Sequence, residues 1–173
     1  MHDLLAELFW VVTGIPNGKI PLDIWHSIKN DWSQRDILRA TTNAAFAGES
    51  GEHRRIREEI KWLLDRINSL AEQRNNAIHA PLIFVRQSTD PSVGTIIPAT
   101  FFGNPRAKNL VGKDLLKEFN WYRQMAVVLG SHALRLKFYL RKVEGAPWPD
   151  RPLLPSLGQK NALRDPHPRR KTK

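Results

Sequence analysis

The residues best suited to chemistry lie in the stretch LAEQRNNAIHAPL, residues 70–82. Arg74, Asn75 and His79 stand near the end of a strongly apolar helical pattern, and Pro81 stops the helix. Arginine presents forked donors that match phosphate oxygens, and histidine titrates near neutral pH and can take or give a proton. Asparagine can orient either group by hydrogen bonding. The three residues therefore suit phosphate chemistry.

No carboxylate cluster with metal-ligand spacing accompanies these residues, so a metal ion is not required for their chemistry. No cofactor is expected. RNA can be cleaved without a metal when a base takes the proton of a 2′-hydroxyl group and an acid protonates the leaving oxygen. The remaining internal histidines, His26, His53 and His132, have no acidic or histidine partner at ligand spacing. A structural or solvated role is expected for each of them.

Arg74 occupies a position where the helix pattern predicts an apolar side chain. In steps of seven residues, Ile60 and Ile67 lead to Arg74, which places a permanent cation on the predicted inner face. Such a charge needs an anion, a crevice or a water-filled seam. The alternative is that Arg74 extends its head into solvent while His79 caps the last carbonyl groups.

The elements that must position these residues are mostly helices. Apolar periodicity predicts five helices, over residues 3–13, 21–30, 33–47, 54–79 and 113–143. Residues 82–102 contain two short β-rich runs separated by a turn composition, which indicates a small β-hairpin or an irregular insertion. The predicted fold is an all-α bundle of about five helices, with this insertion between the last two long helices.

The chain divides by composition into a helical domain, residues 1–144, and a Pro-rich basic tail, residues 145–173. The tail holds six of the 12 prolines and is expected to be largely disordered, although Trp148, Leu153 and Leu154 could dock on the body. The formal charge of +10 favours an anionic partner, with RNA first, but half of this charge lies in the tail. The folded part is only mildly basic.

The composition also predicts the cellular compartment of the protein. The chain contains no cysteine, which excludes disulfides and fits a reducing cytoplasm. No apolar run approaches the roughly 18 residues needed to span a bilayer, and the N-terminus lacks the basic start of a signal peptide. The sequence therefore predicts a cytoplasmic protein with no membrane partner.

The run from Arg74 to His79, RNNAIH, resembles the R-x4-6-H motif of HEPN domains in its common R-N-x-x-x-H form. HEPN proteins are small helical bundles in which this motif closes one long helix, and in many members an irregular segment and a further long helix follow. The opening segments AELFWVVTGIP, DIW and SQRDILRATTNAAF are also similar to bacterial HEPN-like proteins of unassigned role. The resemblance covers roughly residues 3–143.

The resemblance implies a metal-independent endoribonuclease, of a kind often found among toxins and defence effectors, that acts as a homodimer with two motifs in a shared cleft. It also implies that His79 transfers protons, Arg74 holds the phosphate and Asn75 positions both. Two alternatives stay open. One is a catalytically inactive dimeric helical module that binds a protein partner or a nucleotide. The other is the toxin-like half of a pair, neutralised by an antitoxin protein.

Overall fold

The computed structural model describes residues 1–86, 94–101 and 103–156 of the 173-residue chain. These residues form a mostly helical fold with one small antiparallel hairpin. The helices are α1 (His2–Thr13), α2 (Lys19–Ser27), α3 (Asp31–Ala45), α4 (Gly51–Ile78), α5 (Pro105–Lys108) and α6 (Leu115–Leu140), and the strands are β1 (Leu82–Arg86) and β2 (Gly94–Pro98). The predicted helical bundle with a small β insertion is confirmed at this level. The pattern did not predict α5, whose four residues are too few to show a period.

Side-chain caps fix where the helices begin. The Asn30 side chain accepts a hydrogen bond from the backbone N–H of Ser33 at 2.7 Å, so Asn30 is the N-cap of α3 and the helix begins at Asp31, two residues before the predicted start. Ser50 caps α4 in the same way through the N–H of His53. Gly14 closes α1 with a positive φ of 67°, a conformation that glycine adopts without steric cost.

The long helix α4 runs through the middle of the core. It packs against α3 and α6, while α1 packs against α2, α3 and α6. Ile60, Leu63, Leu64 and Ile67 recur at helical spacing on α4, and each is at most 3% exposed. On α6, Leu129, Ala133 and Leu136 are fully buried. The long helices are therefore held together by one continuous apolar stripe on each.

The hairpin lies directly after α4 and pairs Leu82 with Pro98 and Phe84 with Ile96. The backbone N–H of Ala99 extends the ladder to the carbonyl of Pro81 at 2.8 Å. A two-stranded sheet has only edge strands, which is why Pro98 is tolerated here although it cannot donate to a central ladder.

Residues 146–156 of the predicted tail lie against the helical body. The Trp148 indole packs edge-on against Tyr139, with ring centroids 5.0 Å apart, and the guanidinium of Arg55 lies 4.1 Å from the centre of its ring. Leu154 also packs on the core, whereas Leu153 is 96% exposed. The expected disorder therefore does not apply to residues 146–156, and residues 157–173 lie outside the described residues.

A helix that crosses a bilayer needs about 20 consecutive, mostly apolar residues. Across the three described ranges, no helix combines enough length with enough apolar character to cross a membrane. The long helix α6 illustrates the reason, because its 26 residues include the charged side chains Lys117, Arg123 and Arg135.

Candidate functional site

Arg74, Asn75 and His79 lie at the C-terminal end of α4. Arg74 and Asn75 lie four and three residues before the last residue of the helix, and His79 is the C-cap, where its backbone N–H donates to the carbonyl of Asn75 at 3.0 Å. The bond keeps His79 in register with the helix although the chain then leaves toward Pro81. The predicted placement of these residues at a helix end is therefore what the structure shows.

The side chains of all three residues are exposed. The Nη2 atom of Arg74 lies 3.5 Å from Oδ1 of Asn75, which is the outer limit of a hydrogen bond and a weak contact. Among the residues that the structure describes, neither Arg74 nor His79 forms an ion pair with a carboxylate. Their donors are therefore available to an external anion.

The periodic pattern predicted that Arg74 lies on the inner, buried face of α4. This prediction is wrong, because Arg74 is exposed. The buried line at this end of the helix runs through Leu63, Leu70 and Ala77, and Arg74 lies beside it. Leu63, Leu70 and Ala77 are also spaced seven residues apart, so the buried face at this end of α4 follows that series and not the one from Ile60 through Ile67 to Arg74. The guanidinium is consequently spared the cost of burial.

Arg74 and Asn75 line a pocket of about 480 Å³. It is enclosed by residues from α1 to α4 and α6 and from the α2–α3 connection: Met1, His2, Leu5, Trp25, Asn30, Asp31, Trp32, Gln34, Arg35, Ile67, Leu70, Ala71, Arg74, Asn75, Tyr122 and Ala126. We call this the Arg35 pocket. His79 is not part of its lining, because five residues separate it from Arg74 and rotate it about 140° around the helix.

Arg35 contributes a second cation to the Arg35 pocket. It is 8% exposed, and its Nε atom donates to Oδ1 of Asn68 at 2.5 Å. Burial lowers the pKa of the Arg35 guanidinium, and the nearby carboxylates of Asp31 and Asp36 oppose this effect. Arginine nevertheless remains charged. The pocket lining therefore contains two guanidinium groups, from Arg35 and Arg74, and one carboxylate, from Asp31.

The apolar pattern of α3 contains a signal for Arg35, which the sequence-based prediction of site residues did not include. Arg35 precedes the buried residues Leu38 and Thr42 by three and seven positions, so it lies on the inner face of α3. A cation on the predicted inner face of a helix, the feature that singled out Arg74 in α4, is therefore also present in α3 at Arg35.

His132 is buried at 2% exposure and meets Glu59, whose Oε1 atom lies 2.8 Å from His132 Nε2. Of the two roles expected for His132, structural or solvated, the structure supports the structural one. Its partner Glu59 lies 73 residues away in the sequence. In the described part of the chain, no group of three or more His, Asp or Glu side chains is arranged to hold a metal ion.

Comparison with known proteins gives no match to this chain among protein-family models, curated proteins or solved structures. The functional argument therefore depends on the residues themselves and on their geometry.

Proposed function

We propose that this chain is a HEPN-like, homodimeric, metal-independent endoribonuclease that acts on RNA phosphodiesters in the cytoplasm, in a toxin or defence role. The observation that carries the proposal is the exposure of Arg74, Asn75 and His79 together at the end of α4, with neither Arg74 nor His79 paired to a carboxylate among the described residues. The guanidinium of Arg74 and the imidazole of His79 can therefore contact an external phosphate. The formal charge of +10 further suits RNA.

In the proposed reaction, an imidazole acting as base takes the proton of a 2′-hydroxyl group. The 2′-oxygen then forms a bond to the adjacent phosphorus while the bond to the 5′-oxygen breaks, and an imidazolium protonates the departing oxygen. Two copies of His79 in a dimer supply one base and one acid. Arg74 neutralises the phosphate, whose negative charge grows in the transition state, and Asn75 orients the guanidinium.

The hairpin supports the homodimer part of the proposal. Phe84 and Ile96 face each other across the two strands and are 56% and 53% exposed, although both are large apolar side chains. Ile78, one residue before His79, is 50% exposed. An isolated two-stranded hairpin is only marginally stable in water. A second copy that covers this apolar surface would bring two α4 ends, and so two motifs, to the same interface.

One observation favours the alternative of a catalytically inactive dimeric binding module. The Arg35 pocket contains Arg74 and Asn75 but not His79, so the anion-binding groups are organised without the group that transfers protons. A module of this kind would bind an anionic partner at the same place without cleaving it.

Incubation of the purified protein with mixed RNAs in EDTA tests the proposal. The parent should cleave RNA, Arg74→Ala and His79→Ala should not, and the exposed-site controls Arg66→Ala and His26→Ala should retain activity. If neither the parent nor any of the four variants cleaves RNA although all five proteins are folded, the result supports the catalytically inactive binding module. Cleavage that persists in both motif variants removes the motif from the reaction.

A further inference from the structure

We propose that the surface of α4 and α6 beneath residues 148–156 is a recognition groove for Pro-rich, arginine-bearing peptides in the polyproline II conformation, and that the chain's own segment is the ligand seated in it. We call this surface the Trp121 groove. The side chains that contact the segment are those of Arg55, Glu59, Trp62, Trp121 and Tyr139. The proposal concerns a peptide ligand and does not depend on RNA cleavage.

The sequence of the segment favours the polyproline II conformation before any contact forms. Residues 148–156 read WPDRPLLPS, three triplets with proline at the second position of each. Proline fixes its own φ angle and restricts the residue before it to extended or polyproline II backbone, so two residues of every triplet are biased in this direction. Among the residues that the structure describes, the backbone groups of 147–156 form no hydrogen bonds with other backbone groups, as this conformation requires.

The burial of the segment repeats every three residues, which is the period of a polyproline II helix. The first residue of each triplet contacts the helical body, and the proline that follows it is buried or half-buried. The third residue of each triplet is exposed, at Asp150, Leu153 and Ser156. The segment therefore presents two of its three faces to the groove and one to solvent.

Aromatic side chains form the two ends of the Trp121 groove. The Trp148 ring lies 5.0 Å from the ring of Tyr139, and Nε1 of Trp121 donates to the carbonyl of Pro155 at 2.8 Å. Tyr139 and Trp121 are about 27 Å apart along α6, and a polyproline II helix covers about 22 Å from Trp148 to Pro155. An aromatic groove of matching length binds such a ligand well, because the ligand is already extended and its carbonyls are free to accept.

Glu59 makes the Trp121 groove selective for arginine. Its side chain belongs to a residue that is 5% exposed, and its Oε2 atom accepts a hydrogen bond from Nε of Arg151 at 2.9 Å. The guanidinium also lies 5.2 Å from the centre of the Trp62 ring. A buried carboxylate favours a ligand that brings a cation to it. The pattern that the groove recognises is therefore aromatic-Pro-x-Arg-Pro-x-apolar-Pro.

The chain's own segment limits access to the Trp121 groove. The helix α6 ends at Leu140, so only the short stretch 141–147 connects this helix to the ligand that it binds. A connection of this length gives the segment a local concentration on the order of millimolar at the groove. A peptide from another molecule must therefore displace the segment before it can bind.

Fluorescence anisotropy with the labelled peptide APWPDRPLLPS tests the proposal on the full chain. The double variant Trp148→Ala, Arg151→Ala has lost two contacts of its own segment, so it should bind the peptide at least about tenfold tighter than the parent does. A peptide with the Arg151→Ala change should bind this variant about tenfold more weakly, because a hydrogen bond to a charged group is lost. A peptide with the Leu153→Ala change, on the exposed face, should bind like the original. Glu59→Gln added to the double variant should remove the difference between the original and the Arg151→Ala peptides.

Absence of peptide binding to the folded double variant at millimolar concentration overturns the proposal. Equal affinity of that variant for the Arg151→Ala and Leu153→Ala peptides, or equal affinity of the parent and the variant for the original peptide, overturns it as well. If the double variant does not unfold cooperatively, Arg151→Ala alone replaces it in the same comparisons, since this side chain is 48% exposed. None of these outcomes involves RNA, so the failure of this proposal and the failure of the proposed nuclease function are distinguishable.

Discussion

The Oε1 atom of Glu59 on α4 lies 2.8 Å from Nε2 of His132 on α6, and its Oε2 atom accepts a hydrogen bond of 2.9 Å from Nε of Arg151. One buried carboxylate thus joins two core helices and the segment that follows them. An ionised carboxylate can only accept, so Nε2 of His132 carries the proton of the shared hydrogen bond. Trp62 packs against both partners, with the His132 ring 5.3 Å and the Arg151 guanidinium 5.2 Å from its centre.

Removal of the Glu59 carboxylate should destabilise the fold strongly. Glu59→Ala leaves a buried imidazole and a half-buried guanidinium without their common partner, a change that typically costs about 3 kcal/mol. Urea unfolding followed by circular dichroism measures the loss. The neighbouring Glu58 is exposed, so Glu58→Ala should change the free energy of unfolding by less than about 0.5 kcal/mol. Equal losses in the two variants would refute a structural role for the carboxylate.

The segment over residues 146–156 should detach from the body when its contacts are removed. Trp148→Ala eliminates the packing against Tyr139 and Arg55, and Arg151→Ala eliminates the bond to Glu59. Limited proteolysis should then cut this segment several times faster than in the parent. Leu153→Ala serves as the control, because a side chain that is 96% exposed makes little contact. A cleavage rate that is the same in all four proteins would show that these contacts do not hold the segment.

Stability should fall at alkaline pH partly because of Tyr122. Burial, a hydrogen bond to Glu118 and the charge of that carboxylate raise the pKa of the Tyr122 phenol above its ordinary value near 10. Because the pKa is raised in the folded state, this contribution to stability is complete below the unfolded pKa and is lost as the pH rises above it. Urea unfolding at pH 8 and pH 11 should therefore show a smaller alkaline loss in Tyr122→Phe than in the parent.

Tyr139→Phe is the matched control for the alkaline effect. Tyr139 donates to Glu52 at 3.0 Å, and this bond raises its pKa as well, but the group lies nearer the solvent. Its replacement should reduce the alkaline loss less than the replacement of Tyr122 does. A parent and a Tyr122→Phe variant with identical pH dependence would contradict the assignment.

Phe84→Asp should convert the proposed dimer into a monomer. The substitution places a charge among the exposed apolar side chains of the hairpin, where a second copy would have to bury it. Sedimentation velocity at micromolar concentration should show a dimer for the parent and a monomer for Phe84→Asp, while Leu153→Asp should leave the dimer intact. A monomeric parent would contradict a shared cleft.

The helices were predictable from the sequence because apolar side chains recur at helical spacing, and the placement of Arg74, Asn75 and His79 at a helix end followed from Pro81. The hairpin was predictable from its β-rich runs. Contacts between segments that are distant in the sequence could not be predicted. Glu59 and His132 are 73 residues apart, and nothing in the local pattern of either helix indicates the other.

The Arg35 pocket could not be derived from the sequence for a similar reason. Trp25, Arg35 and Arg74 lie on three different helices, and only the packing of these helices brings them to one pocket. The exposure of Arg74 also depends on where the core ends along α4. A periodic pattern predicts the face of a helix, but not how far along that face the neighbouring helices reach.

The ends of the RNA fragments produced in EDTA test the central claim most directly. If the 2′-oxygen attacks the phosphorus and His79 transfers the protons, the parent should release fragments with 2′,3′-cyclic phosphate and 5′-hydroxyl ends, and His79→Ala should release none. Fragments with 3′-hydroxyl and 5′-phosphate ends, or cyclic-phosphate ends still formed by His79→Ala, would contradict the account.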